Sequence, residues 1–209
     1  LAVSQKRGCA FSFLTQSSSF QAPDTVFPWI RLVHAGLTCV GKPRIDVLGT
    51  TCIRLRVWPN DLDLNLHMNN GRYLALADIA RMHWFVRCGA ARMAYRNRAV
   101  PVVGDAIAKF RRDLRSFQKF EIHTRMMGWN ARWGFMEHRF VRAGRVLGVV
   151  AVRGLFKGPN GTLEPQAFLD ALGVHHDSPA LPQWVLEWNS GCESLTMQLR
   201  SEEAAREAG

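Results

Sequence analysis

Residues 61–70 read DLDLNLHMNN and run on into Gly71, Arg72 and Tyr73. Two carboxylates, three amides and one imidazole alternate there with Leu62, Leu64, Leu66 and Met68. Set on a strand, this alternation predicts Asp61, Asp63, Asn65, His67 and Asn69 on one side and the four apolar residues on the other. Asp63, with Asn65 and His67 beside it, has the chemistry to take a proton from water or to attack a carbonyl carbon directly. A helix starting within Asn69 to Gly71 would add unpaired backbone N–H groups and a positive dipole end, which a developing oxyanion requires. The absence of a strong acid suits a thiolate leaving group, whose pKa of about 8–9 lets it depart with little protonation. The plainer alternative is a turn and a helix cap, the usual work of Asp and Asn between a strand and a helix.

Other chemistries fit less well. Asp61, Asp63 and Asn65 match the first ligands of a calcium loop, but Leu66 and Arg72 stand where that loop needs glycine and glutamate. The Asp-x-Asp pair lacks the nucleotide-binding strand and loop that would make it a sugar-transfer metal site. There is no His-Glu-x-x-His, and His175-His176-Asp177 sits in a Gly/Pro/Ser context typical of a solvated loop. The serine-hydrolase elbow and the Walker loop are missing as well.

Something must hold the quoted residues in place. In TCIRLRVW (51–58) Ile53, Leu55 and Val57 alternate with Arg54 and Arg56, the period of a half-exposed strand, which Pro59 and Asn60 end. Asn69 or Asn70 then caps a helix that Gly89 stops. Its residues Leu74, Leu76, Ala77, Ile79, Ala80, Trp84, Phe85 and Val86 surround nearly the whole circumference, so the helix is expected to be buried in its own fold. Strands are predicted at 100–110, 117–127, 133–141 and 145–157. In the second of these, Phe120, Ile122, Thr124 and Met126 oppose Lys119, Glu121, His123 and Arg125, giving one buried and one wet face. The connections GWNAR (128–132) and AGR (143–145) suit antiparallel hairpins, and GPNG (158–161) closes the series. An apolar helix of about five turns needs a sheet curved around it, so the predicted class is α+β rather than a βαβ crossover. Pro165 opens a C-terminal helical extension. The organisation expected is a leader over 1–49, flexible over 1–25, a domain over 50–160 and an extension over 161–209.

With 209 residues, 47% apolar and 21% charged, the chain has ordinary globular composition and length enough for one core. A net charge of +10, dominated by arginine, points to an anionic partner: nucleic acid, an acidic membrane face or a phosphorylated small ligand. The arginines are dispersed rather than gathered on one recognition element, which argues against nucleic acid. Five cysteines without a CxxC pair suit a reducing, cytoplasmic compartment. No apolar run reaches the about 18 residues of a membrane span. VFPWIRLVHAGLTCV (26–40) is expected to pack on the domain, with membrane-surface attachment as its rival role.

The stretch DLDLNLHMNNGRY, preceded by RVWPN and followed by a long apolar helix, resembles the hotdog-fold acyl-CoA thioesterases of the 4-hydroxybenzoyl-CoA thioesterase superfamily. It is nearest to the branch of thioesterase superfamily member 6 type proteins, over about residues 50–160. The resemblance implies an antiparallel sheet wrapped around a central helix, and protomers paired edge to edge as a homodimer or dimer of dimers with active sites at the interface. It places the catalytic aspartate on Asp63, ten residues before Tyr73, which would border the substrate. The Asp-x-Asn-x-His arrangement of plant acyl-carrier-protein thioesterases lands on Asp63, Asn65 and His67, and the oxyanion donor on the backbone N–H of Asn70. Arg111, Arg112 and Arg115 would meet the phosphates of coenzyme A. The implied substrate is an acyl or aroyl thioester of coenzyme A or of acyl carrier protein, with no metal and no cofactor beyond the coenzyme A of the substrate. The rival is the same scaffold without turnover, binding acyl-CoA or a membrane surface.

Overall fold

The computed structural model describes residues 29–175 and 177–207. The flexible leader expected over 1–25 and His176 lie outside the described residues. Alternating apolar residues build β1 (Thr51–Arg56), β2 (Val100–Phe110), β3 (Lys119–Trp129), β4 (Gly134–Arg142) and β5 (Arg145–Gly158). These pair antiparallel in the order β1-β3-β4-β5-β2, and a short β6 (Gly161–Leu163) adds to the end of β5. The β4–β5 hairpin closes through Ala143 and Gly144, both with positive φ (49° and 71°), the two-residue turn that matches strand twist.

Helix α2 (Asn70–Cys88) lies on the concave face. Asn69 caps it by accepting the Gly71 N–H at 2.8 Å, and Gly89 stops it in the left-handed conformation at φ 87°. Leu76, Ile79, Ala80 and Trp84 are buried against Ile53, Leu55, Phe120, Ile122, Phe140 and Val150 of the sheet. Each fully buried aliphatic or aromatic side chain of this kind contributes about 1.5–3 kcal/mol. The expectation of an all-round apolar helix is corrected in part. Leu74 and Val86 are exposed, while Arg81 and His83 are buried.

Other elements complete the unit. α1 (Trp29–Leu37) rests on the domain through Ala35 and Leu32. α3 (Ala90–Arg96), which the sequence pattern did not suggest, follows Gly89 and buries Ala90 and Ala94. Phe168 and Leu169 of α4 (Pro165–Asp170) enter the same core, so the packed unit runs past residue 160. On the convex face the first turns of α5 (Gln183–Glu207) set Val185 and Trp188 against Trp133, Phe135 and Ala151. Arg153 is buried there between Asp105 and Glu193, each at 2.5 Å, with its guanidinium over the Trp133 ring. No helix among the described residues is long and apolar enough to cross a membrane.

Two interior histidines make the fold sensitive to acid. Burial, with Arg81 nearby, pushes the His138 pKa down to about 3, and burial, with Arg87 and Lys42, pushes His83 down to about 4. Both are neutral in the fold, and both gain a proton once the chain unfolds below the ordinary value of 6.5. Their contribution is therefore complete above that value and is lost progressively as pH falls towards the two folded-state values. Each adds a slope of up to about 1.4 kcal/mol per pH unit in that window. Thermal melts between neutral pH and pH 4 should show Tm falling steadily, and His83→Leu should flatten the slope. A flat profile for the parent protein would contradict this.

Candidate active site

The DLDLNLHMNN segment is a closed loop, not a strand. A 3-10 turn at Pro59–Asp61 leads into it, and Leu62 and Met68 pair across its neck. Inside, the Asp63 N–H donates to the His67 carbonyl and the Leu66 N–H to the Asp63 carbonyl, both at 3.0 Å. Leu66 takes φ 61° to make the reversal. The expected two-faced alternation is thereby corrected, because a chain that doubles back within five residues cannot keep a period of two. Asp61 is buried, Met68 is buried, and Leu64 and Leu66 face solvent.

Asp61 anchors the loop. Its carboxylate accepts two bonds from Arg31 of α1, at 2.6 and 2.9 Å, and the Trp58 N–H at 2.7 Å. Arg72 adds a charge at 3.8 Å, and the Asp61 carbonyl takes the Asn69 N–H at 2.8 Å. The acid is thus tied to a preceding helix, to the end of β1 and to the cap of α2.

Asp63 is held differently. Its Oδ1 accepts the Asn65 backbone N–H at 2.9 Å and lies 3.5 Å from Nδ1 of His67, and the side chain is 26% exposed. Asn65 therefore contributes its backbone, while its side chain is exposed. His67 is fixed by a backbone bridge to Arg115, and the Met68 N–H donates to the Leu114 carbonyl at 2.7 Å. Asn70 is the first residue of α2. Among the described residues nothing accepts its N–H, since the Asn69 cap is spent on Gly71. A carboxylate, an imidazole and an open helix N-terminus thus stand within one ten-residue stretch.

The remaining predicted residues spread around this point. Tyr73 is in the core, its ring against Phe110 and Phe140 at 5.0 and 4.7 Å and laid on Gly148, where a Cβ would come within 3.1 Å. Burial, reinforced by Asp113, raises its pKa to about 12. Arg111 and Arg112 follow β2 with both backbone N–H groups on the Leu147 carbonyl, and with Arg115 they present exposed side chains that make no ion pair among the described residues. Cys52, Glu121 and His123 bring potential metal-ligand atoms within 4.8 Å of one another, but Glu121 already bonds Arg54 and His123.

Sequence pattern did not reveal a cavity beneath the C-terminal half of α2. Its volume is about 70 Å³, and it is partly open to solvent. Trp84, Phe85, Met136 and Phe168 line it, Pro101, Val102 and Val103 of β2 form its rim, and Arg81 is the one charged side chain in its wall. The only sequence signal for Arg81 was a cation interrupting an apolar helix.

Residues 57–189 match the family model of the thioesterase-like superfamily. The chain belongs to that superfamily. Among relatives of this thioesterase-like chain, Protein THEM6 of Xenopus laevis is 33% identical over 149 residues, 70% of each chain. Protein THEM6 of Danio rerio is 31% identical over 168 residues, 78% of this chain and 81% of that one. Among solved structures, the YbaW probable thioesterase of Escherichia coli superposes with a TM-score of 0.55 at 17% identity, over 59% of this chain and 96% of that one. A 4-hydroxybenzoyl CoA thioesterase mutant complexed with 4-hydroxybenzoyl CoA gives 0.51 at 15% identity, over 58% and 96%. The likeness to these structures is one of fold, the hotdog: a curled antiparallel sheet around a helix. The thioesterase-like chain is an enzyme of the thioester-hydrolase class.

The two acids of the loop should separate cleanly on mutation. Asp61→Ala leaves Arg31 buried without its partner and is expected to cost about 3–5 kcal/mol, read as a lowered urea midpoint. Asp63→Asn keeps an oxygen for the Asn65 N–H and should leave that midpoint nearly unchanged.

Proposed function

We propose that the chain hydrolyses acyl or aroyl thioesters of coenzyme A at a site shared by two copies of itself. The observation that carries the reading is the Asp63 carboxylate, 3.5 Å from Nδ1 of His67 in the loop that leads directly into the N-terminus of α2. Asp63 takes a proton from a water molecule whose oxygen adds to the thioester carbon. The Asn70 N–H and the helix dipole receive the carbonyl oxygen as it becomes negative. The C–S bond then breaks, the carboxylic acid remains, and the thiolate takes up the proton that Asp63 holds or leaves it to solvent. His67 and the Asn65 N–H orient the carboxylate. Arg111, Arg112 and Arg115, at the same end of the sheet, suit the phosphates of coenzyme A. Acyl carrier protein, which also presents a phosphorylated thiol arm, is the other candidate carrier.

The second copy follows from where the parts lie. β2 is an edge strand of 11 residues in which Val100, Val102, Val103, Ile107 and Phe110 are exposed. An edge so long and apolar is a pairing edge. The Asp63 loop stands at its Phe110 end, through Tyr73 on Phe110 and His67 on Arg115, and the cavity opens at its Val100 end. The strand spans roughly 33 Å between these ends, too far for one carboxylate to serve its own cavity. Antiparallel pairing of two β2 strands sets the Phe110 end of one copy against the Val100 end of the other. Asp63 of each copy then faces the cavity of its partner, and the exposed Leu64 and Leu66 gain cover.

A second reading, a binding protein without turnover, is favoured by the exposed Ile30, Val33, Leu37 and Val40 beside a groove lined by Arg54, Arg56, Lys119 and Arg142. A thiol-release assay over a panel of acyl-CoA thioesters decides between them. Asp63→Asn should lower turnover by at least about a hundredfold, as loss of a general base does. Unchanged kinetics at saturating substrate would sink the assignment, and retention of acyl-CoA with no thiol release by the parent protein would leave the binding reading. Ile107→Asp should yield monomers by light scattering and lose turnover with them; an active monomer would refute the shared site.

A further inference from the structure

We infer that the cavity takes acyl groups ending in a carboxylate, and that Arg81 receives that end. The inference deepens the proposed function, resting on the reading that this cavity holds the acyl group of the thioester.

The Arg81 side chain is 8% exposed. Its Nη2 donates to Asp78 at 2.5 Å, and Asp78 is half exposed, so that pairing uses the solvent edge of the guanidinium. Nε and Nη1 have no hydrogen-bond partner. Arginine cannot shed its proton to escape this situation, and buried unpaired donors are costly. Every other side chain lining the cavity is apolar, so among the described residues the wall supplies no side-chain acceptor. A structural cation in such a place would be replaced to advantage by leucine or methionine.

A further unpaired atom lies on the adjoining sheet. His138, two residues along β4 from Met136 of the cavity wall, is fully buried, bonds Thr124 through Nδ1 and leaves Nε2 without a partner. It is near enough to Arg81 for that charge to depress its pKa further. In the tautomer in which the Thr124 hydroxyl donates to Nδ1, Nε2 carries a proton and is a further donor. A carboxylate supplies several acceptor sites and the charge that a fixed guanidinium lacks. A methyl terminus would leave Nε and Nη1 as they are. The apolar walls then hold the methylene chain, and the thioester end points out past Val102 and Val103 to the Asp63 of the partner.

The test uses the full chain and non-hydrolysable coenzyme A thioethers: hexyl, octyl and decyl, each with and without a terminal carboxylate. Binding is measured by titration calorimetry. The carboxylate member of at least one pair should bind about tenfold tighter or more, the worth of one charge-assisted contact in an apolar site. Arg81→Met should reverse that preference, and Arg81→Lys should retain part of it. Should Arg81→Met fail to fold, the parent comparison with Arg81→Lys still decides. Equal affinity within every pair, tighter binding of the plain chains, or a preference untouched by Arg81→Met overturns the inference while leaving thioester hydrolysis standing. Failure of every thioether to bind, together with no thiol release from any thioester, overturns both.

Discussion

A carboxylate sealed from water must be paired, and the Asp61 clamp meets that requirement with the pieces that present Asp63. Arg31 draws α1 onto the loop, the Trp58 N–H fixes the exit of β1, and Arg72 and the Asn69 N–H fix the start of α2. Breaking such a pair is far more costly than losing a surface bridge, because the surviving charge stays buried. Two residues on, Asp63 is free of this network and holds only a local turn bond and the approach of His67. The division of labour is physical: one acid is fixed by burial, and the other, the base of the proposed mechanism, stays at the surface of the loop.

Much of the fold was legible because buried faces impose periods. The two-residue alternation in Ile53, Leu55 and Val57 and in Phe120, Ile122 and Thr124 marks real inward faces, and Gly89 stops α2 where a left-handed residue is needed. The same period misled over 61–70. Leu64 and Leu66 alternate with polar residues, yet both point to water, because Leu66 at φ 61° turns the chain back before any face forms. Alternation reports a strand only when something covers one side of it, and none of the described residues covers Leu64. α3 escaped notice because AARMAYR is short and its burial rests on two alanines.

The polar interior was the least legible part. Arg81, His83 and His138 stand in segments whose apolar neighbours dominate any periodicity, and their burial depends on how α2 crosses the sheet rather than on local sequence. Such groups make a core less stable than an apolar one of the same volume, and His138 and His83 also tie its stability to pH. A chain that only needed to fold would have no use for them. Arg81 lines the apolar cavity at the C-terminal half of α2, and His138 stands two residues along β4 from Met136 of its wall, both away from the residues of the Asp61 clamp.

In the proposed dimer each α2 therefore serves two reactions. Its N-terminus polarises the carbonyl attacked with the help of its own Asp63, while Arg81, eleven residues and about 16 Å along the axis, closes the cavity used by the partner. One rigid helix fixes both, so the length of acyl chain that fits is set by helix geometry and by the register of the two β2 strands, not by loop conformation. A slip of two residues in that pairing would move the carboxylate by about 7 Å relative to the facing cavity. The bulge between Val103 and Asp105, and the Arg153 bond that holds Asp105, are where the edge resists such a slip. Substrate length and strand register are, on this geometry, the same variable.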